Sequence, residues 1–236
     1  MDKLGIIGGL GPMATAIFMK RIIEMTDAAT DQEHIEMVVL NYPSIPDRTG
    51  YLLDHTNPDP VKPIVQAGLE LANLGCREIA IPCITAHGFH SALTAEIPIP
   101  VINGVELTAQ YLADRGCRRV GIMATDGTVR TGIFEAALQE HGITPIYPAP
   151  QSQKLVMSII YDDVKAGRPV KRYKFIHVKD ELCRAGAQVI LLGCTELSVM
   201  AETWLPGGRF LDVLSVLARR CVMDFAKLKD EYIELI

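Results

Sequence analysis

The sequence predicts an α/β protein in which parallel sheets are covered by helices. Short apolar runs alternate with helical stretches along almost the whole chain, as expected for parallel strands joined by crossover helices. The pattern restarts midway, and residues 74–83 (LGCREIAIPC) parallel residues 185–194 (AGAQVILLGC). We therefore expect two half-length open α/β units of similar design rather than one long sheet.

The first unit is predicted from apolar runs and helix boundary residues. Its strands are expected at 4–7, 37–40, 78–81 and 101–102, and its helices at 13–28, 61–74 and 105–115, with a loop over 41–49. Pro12 suits the first position of a helix, and Gly75 suits the end of one. Each predicted strand thus runs into a turn that opens a helix or a loop.

The second unit repeats this order. Strands are expected at 119–123 and 189–192, and helices at 132–139, 154–164 and 174–184. A tail helix over 211–228 places Leu214, Leu217, Cys221 and Phe225 on one face. We assign 1–103 plus 211–236 to the first half, which holds Cys83, and 104–210 to the second half, which holds Cys194.

Composition excludes several classes of protein. The 236 residues are 49% hydrophobic and 22% charged, which favours a packed globular fold. A net charge of −5 argues against nucleic-acid binding, which needs a basic surface. No apolar run reaches the roughly 18–20 residues that span a bilayer, and no secretory leader is recognisable at the start. We expect no membrane association and a cytoplasmic location.

The chain has six cysteines, and two of them differ from the rest. Cys76, Cys117, Cys183 and Cys221 lie within or beside helical or strand segments and are expected to be packing residues. Cys83 and Cys194 each follow a buried strand, and hydroxyl or carboxyl side chains flank them. Ligands of open α/β sheets bind beyond the carboxyl ends of strands, so both thiols would face one cleft. The cysteine spacing predicts no metal site.

Two thiols that face one site suit inversion of a carbon stereocentre. One thiolate removes a proton from carbon, and the other thiol returns a proton on the opposite face, in either direction. No lysine motif for pyridoxal phosphate is evident, so we expect no cofactor. Electrostatics and hydrogen bonds would then stabilise the carbanion.

Four segments in order carry a family resemblance. They are 8–15 (GGLGPMAT), 44–49 (SIPDRT), 82–87 (PCITAH) and 192–196 (LGCTE). Together they resemble the aspartate/glutamate racemase family, whose members racemise amino acids without a cofactor. The resemblance implies two pseudo-symmetric Rossmann-like α/β domains, an active site in the cleft between them, a homodimer, and Cys83 and Cys194 as the catalytic pair.

The same resemblance implies a binding set for an acidic amino acid. Arg48 and Lys165 would hold the distal carboxylate, and Thr85, Thr125, Thr128 and Thr195 would surround the α-carboxylate. A surface ion pair for Arg48, a solvated helix end for Lys165 and ordinary turn or cap roles for the threonines are the alternatives. The full predicted set is Leu10, Arg48, Ile84, Thr85, Thr125, Thr128, Lys165, Thr195 and Glu196.

One residue departs from the family pattern. The family usually has Asn directly after the first cysteine, where this chain has Ile84. An aliphatic side chain offers no hydrogen bond, so a polar substrate group would lose about 1–3 kcal/mol unless a neighbour replaced the amide. Altered substrate preference, weakened activity, and compensation by Thr85 or His87 are the three possible consequences.

Three functions other than amino-acid racemisation are compatible with parts of the sequence. A related isomerase of the same superfamily with a less polar substrate, or a catalytically silent carboxylate-binding protein, would keep the same cleft. Residues 9–14 (GLGPMA) also fit a dinucleotide fingerprint, but the second predicted strand does not end in the acidic residue that would bind the ribose. This last function is therefore disfavoured.

Overall fold

Two parallel β-sheets form the framework of the computed structural model, which describes residues 2–236. The strands are β1 (Lys3–Gly8), β2 (Met37–Asn41), β3 (Cys76–Ala80), β4 (Arg119–Met123), β5 (Thr144–Ile146), β6 (Val189–Leu192) and β7 (Phe210–Asp212). One sheet has the order β2-β1-β3 and the other β5-β4-β6-β7, and every pair is parallel. The predicted α/β class is confirmed.

Helices connect the strands and cover the sheets. They are α1 (Pro12–Met25), α2 (Arg48–Leu53), α3 (Val61–Asn73), α4 (His90–Glu96), α5 (Gly104–Asp114), α6 (Asp126–Arg130), α7 (Ile133–Glu140), α8 (Pro150–Ser158), α9 (Arg172–Arg184), α10 (Thr195–Ala201) and α11 (Val213–Phe225). A π-helical turn, Ile159–Val164, continues α8, and a 3₁₀ segment, Ile84–Phe89, follows β3. Over residues 2–236, no helix is both long and apolar enough to cross a membrane.

The second sheet repeats the strand order of the first. In each, the first strand of the unit lies at the centre, between the second and third strands of that unit, and β7 extends only the second sheet. β3 and β6 therefore occupy equivalent places, and they come from the two similar sequence segments. The second residue of each segment is a glycine with positive φ, 77° at Gly75 and 91° at Gly186. This conformation lets the preceding helix end before the strand begins.

Both faces of each sheet are buried. In the first sheet, Ile7 and Ile79 pack on one side with residues of α3, while Leu4 and Ile6 pack on the other with α1 and α11. In the second sheet, one side packs against α5 and α7, and the other against α8 and α9. Near-continuous apolar strands are what a parallel sheet with two covered faces requires.

The last helix touches both halves of the molecule. Leu214, Leu217 and Cys221 of α11 pack with α1, whereas Val213 and Val216 pack in the core of the second sheet. β7 spans the position between 210 and 211 at which we divide the chain. The proposed domain limits, 1–103 plus 211–236 and 104–210, remain a prediction.

Several predicted elements need correction. β5 and β7 are three residues long, too short to show a strand period, and were not predicted. The tail helix starts at Val213 because the Asp212 side chain caps it by accepting from the Leu214 N–H at 2.9 Å. At 101–102 there is a single parallel bridge, from Val101 to Ile79, rather than a strand.

Two further corrections concern a loop and a cysteine. The expected loop 41–49 ends earlier, since α2 begins at Arg48 behind an Asp47 cap that accepts from the Gly50 N–H at 2.6 Å. Cys76, Cys117 and Cys221 are buried as expected, but Cys183 is exposed, so the packing role predicted for it is wrong.

A buried arginine joins the two halves. Arg21 of α1 is 7% exposed, and its Nη1 lies 2.6 Å from Oδ2 of Asp212. Its Nη2 lies 3.0 Å from Oε1 of Glu202, just after α10. Because Asp212 also caps α11, this one guanidinium holds the end of α10 and the start of α11 against α1.

We expect Arg21→Met to lower the free energy of unfolding by about 3 kcal/mol, because it leaves two carboxylates without their buried partner. Urea unfolding at neutral pH measures the change. The matched control is Lys20→Met, which removes a cation from the same Glu202 but from an exposed position, and its midpoint should stay close to that of the wild type. Equal losses in both variants would contradict a structural role for the buried pair.

Candidate active site

Cys83 and Cys194 face one small cavity at the carboxyl ends of equivalent strands. Cys83 precedes the 3₁₀ segment after β3, and Cys194 precedes α10 after β6. The two residues are 6% and 5% exposed. Both line a cavity of about 10 Å³, which we call the inner cavity and which has room for about one water molecule.

The structure brings nearly all of the predicted site residues to this cavity. Ten of the eleven line it, and the eleventh, Thr128, lies behind them. The ten are Leu10, Arg48, Cys83, Ile84, Thr85, Thr125, Lys165, Cys194, Thr195 and Glu196. Asp47 and Thr49 also line it, and sequence reasoning gave neither of them a role.

Three threonine hydroxyls form a triangle between the halves. The Thr85 oxygen lies 3.2 Å from that of Thr125 and 3.3 Å from that of Thr128, and the latter two are 3.1 Å apart. All three residues are buried. Because hydroxyls both donate and accept, the triangle can turn its protons toward an anion in the cavity without leaving an oxygen unpartnered.

Arg48 is a fixed cation beside Cys83. It is 8% exposed, and its Nη atoms donate to the carbonyls of Pro46 at 2.9 Å, Leu10 at 2.8 Å and Ile45 at 3.2 Å. Burial lowers the pKa of Arg48, but the neighbouring Cys83 sulfur and acidic groups outweigh burial and leave the pKa raised. Its buried Nε has no partner among residues 2–236, so this donor is free for a ligand.

The surroundings of Cys194 favour the protonated thiol. Its Sγ donates to Oε2 of Glu196 at 2.8 Å. Burial first, and then the charge and hydrogen bond of Glu196, raise the pKa of the Cys194 thiol well above its ordinary value. The carboxylate fits there because Gly11 lies opposite, where a Cβ would come within 3.1 Å of Oε1.

Lys165 reaches across the mouth of the inner cavity. Its Nζ lies 3.9 Å from Oε1 of Glu196, 3.8 Å from Oδ1 of Asp47 and 4.1 Å from the centre of the Tyr161 ring. Burial lowers the pKa of Lys165, but Glu196 and its other neighbours outweigh burial and raise it. Tyr161 in turn donates to Asp47 at 3.3 Å.

These contacts close the cleft between two separate parts of the chain. Asp47 precedes α2, whereas Tyr161 and Lys165 belong to the π-helical turn and the residue after it. Tyr161 lies four positions before Lys165, a spacing that puts both on one helical face and could have indicated the pair. Asp47 lies in the segment 44–49 that carries the family resemblance, but only the folded chain shows what it contacts.

Ile84 and His87 differ in their relation to the cavity. Ile84 is 2% exposed and packs into the core of the second sheet with Val105 and Ala109 while it also lines the cavity. His87 does not line the cavity, and its Nδ1 lies 3.1 Å from the Cys83 carbonyl oxygen. Burial lowers the pKa of His87 to about 4, so the ring is neutral near pH 7. Of the two neighbours considered as replacements for an amide, Thr85 alone lines the cavity.

A larger cavity adjoins the inner one. It has a volume of about 450 Å³, and Asp47, Arg48, Lys165 and Glu196 line both cavities. We call it the outer cavity. Within residues 2–236, no group of three or more His, Cys, Asp or Glu side chains could hold a metal ion. The site is thus a buried pair of thiols behind a charged entrance.

Comparisons with known proteins show which proteins the chain is similar to. The family model for Asp/Glu/Hydantoin racemase matches residues 7–221. The broad specificity amino-acid racemase RacX of Bacillus subtilis is 22% identical over 226 residues, which cover 94% of this chain and 97% of RacX.

Solved structures extend the likeness to the fold. An aspartate racemase of Picrophilus torridus superposes with a TM-score of 0.87 at 30% identity, covering 99% of this chain and 98% of the other. A glutamate racemase of Francisella tularensis, in complex with D-glutamate, shares the fold with a TM-score of 0.68 at 13% identity, covering 100% of this chain and 84% of the other. With the family model matched over most of its length, the chain belongs to the Asp/Glu/Hydantoin racemase family, a family of isomerases.

Proposed function

We propose that the protein interconverts L- and D-aspartate, with glutamate as the next best substrate, by proton transfer between Cys83 and Cys194 without a cofactor. The observation that carries the proposal is the pair of buried thiols on equivalent strand ends that line one cavity. Family membership supports amino-acid racemisation, and the name of the Picrophilus torridus relative supports aspartate.

The reaction balances with the two cysteines alone. The thiolate of one takes the Cα proton, and the electron pair of the C–H bond stays on the substrate as a carbanion conjugated with the α-carboxylate. The thiol of the other gives its proton to the opposite face of the carbon. The stereocentre is inverted, and the two cysteines have exchanged protonation states.

The surroundings of the thiols support this division of labour. A two-base reaction needs one protonated partner at the start, and Glu196 with burial favours the protonated form of Cys194. The positively charged Arg48 lies on the Cys83 side. In the proposal, the threonine triangle stabilises the negative charge that develops on the α-carboxylate, and the Nε of Arg48 holds the distal carboxylate together with Lys165.

Substrate entry requires the cleft to open. The inner cavity of about 10 Å³ is far too small for an amino acid. Asp47, Tyr161 and Lys165 must therefore separate before aspartate reaches the thiols. In the proposal, the distal carboxylate of the substrate then replaces Asp47 as a partner of Lys165, and this ion pair stabilises the closed cleft.

A second candidate is isomerisation of a less polar or non-amino substrate. Ile84 supports it, since this apolar side chain stands next to Cys83 where the family usually has an amide. Turnover of amino acids compared with turnover of non-amino dicarboxylates decides between the two. Saturable carboxylate binding without solvent exchange at Cα would instead indicate a silent homologue. The homodimer and the cytoplasmic location remain predictions.

The first test replaces each cysteine. Incubation with L-aspartate in heavy water should give Cα deuteration together with D-aspartate, measured by proton NMR and chiral chromatography. Cys83→Ser and Cys194→Ser should each reduce racemisation by about 10²–10⁴-fold, because each removes an acid/base partner. The exposed Cys183→Ser serves as the matched control and should keep wild-type activity. No exchange by the wild type with any amino acid would refute the proposal.

The second test uses pH. Glu196→Gln keeps an oxygen for the Cys194 thiol but removes the negative charge that favours protonation, so the pKa of Cys194 should fall. In the direction in which Cys194 removes the proton, the rise of kcat/KM with pH should move to lower pH. Profiles measured from both enantiomers reveal this shift. An unchanged profile in both directions would show that Glu196 does not control the ionisation of Cys194.

A further inference from the structure

A third cavity adjoins the outer cavity on the side away from the thiols. Its volume is about 480 Å³, and it lies between the 167–172 segment and the 199–204 segment. Met13, Val164 and Val199 line both this cavity and the outer cavity. We call it the distal groove, and it adjoins the proposed substrate site on the side away from the thiols.

The groove combines an indole wall with two cations. Trp204 is the only tryptophan in the chain and is partly exposed there. The Arg172 guanidinium lies 5.0 Å from the centre of its ring. Arg168 lines the same groove. Guanidinium stacking on an aromatic face orients the planar donor group without consuming its N–H donors.

Neither guanidinium has a protein partner. Among residues 2–236, the Arg168 and Arg172 side chains make no hydrogen bond and no ion pair, and no acidic residue lines the groove. In a chain of net charge −5, two unpaired cations beside a cavity form a local site for an anion.

The wall shared by the outer cavity and the distal groove is apolar. Met13 is 62% exposed, and Val164 and Val199 line the same wall. A ligand that extends from the inner cavity to Arg172 therefore passes the charged entrance first, then this apolar wall, and meets positive charge again at the end. An aliphatic chain with a terminal carboxylate has this order of groups.

We infer that the distal groove binds the side chain of substrates longer than glutamate, namely α-amino acids with an aliphatic side chain that ends in a carboxylate. The inference rests on the proposed racemase function and names a further substrate class for the same site. Arg172 and Arg168 bind the terminal carboxylate, and Met13, Val164 and Val199 contact the methylene groups.

The exchange assay tests the inference with a series of amino acids in heavy water. Aspartate, 2-aminoadipate and 2-aminopimelate increase in length, and 2-aminoheptanoate matches the last in length without its terminal carboxylate. Wild type should exchange 2-aminopimelate faster than 2-aminoheptanoate. Arg172→Met should lower kcat/KM for 2-aminopimelate by about 10- to 100-fold, the value of a hydrogen bond to a charged group, and leave aspartate unchanged. Arg184→Met, at the other end of α9, is the matched control.

Tryptophan fluorescence provides a readout that does not depend on turnover. In the Cys194→Ser variant, 2-aminopimelate should change Trp204 emission in a saturable way, and the added Arg172→Met change should abolish the response. Exchange of aspartate with neither exchange of nor fluorescence response to 2-aminopimelate would overturn the inference and leave the proposed function intact. No exchange of any amino acid would refute the proposed function, and the titration would then still show whether the groove binds the carboxylate.

Discussion

The carboxyl ends of parallel strands meet at one edge of a sheet, and the two sheets of this protein turn those edges toward a shared cleft. β3 and β6 occupy equivalent places beside the central strands, so the residues that follow them, Cys83 and Cys194, face the same cavity. The segments that follow the strands close over this cavity through the contacts of Asp47 with Tyr161 and Lys165, and they leave room for about one water molecule. Electrostatic interactions inside it are therefore stronger than they would be at the surface.

Burial gives the two thiols different surroundings despite their equivalent positions in the fold. Cys194 precedes a helix whose first turn contains Glu196, and Oε2 of that carboxylate accepts a hydrogen bond from the Cys194 Sγ at 2.8 Å. Cys83 precedes a 3₁₀ segment, and its charged neighbour is Arg48, the first residue of α2. A symmetrical pair would give no reason for the proton to start on one side. In the proposed reaction, the local difference favours the proton on Cys194 at the start, while the strands keep their pseudo-symmetry.

The sequence predicted what local pattern and repetition encode. The strand segments of β3 and β6 are apolar and similar, so their order and the location of both thiols followed from the residues. Ten of the eleven predicted site residues line one cavity, although their roles remain predictions. The contacts of Asp47 with Tyr161 and Lys165 join positions more than a hundred residues apart, which no local pattern records. The short strands β5 and β7 were not predicted because three residues are too few to show a strand period. The π-helical turn was not predicted because six residues are too few to separate its period from that of the helix it continues.

Ile84 shows how the fold limits what the site can offer a ligand. Its side chain packs with Val105 and Ala109 in the core of the second sheet, so it cannot turn away to make room for a polar group. An amide at this position would need hydrogen-bond partners. An amide left without them in the apolar core would destabilise the fold by about 1–3 kcal/mol. The polar groups around Cys83 are accordingly concentrated elsewhere, in the threonine triangle and in Arg48. A substrate held from that polar side presents its less polar surface to Ile84, and the wall beside Cys83 then contributes shape rather than hydrogen bonds to recognition.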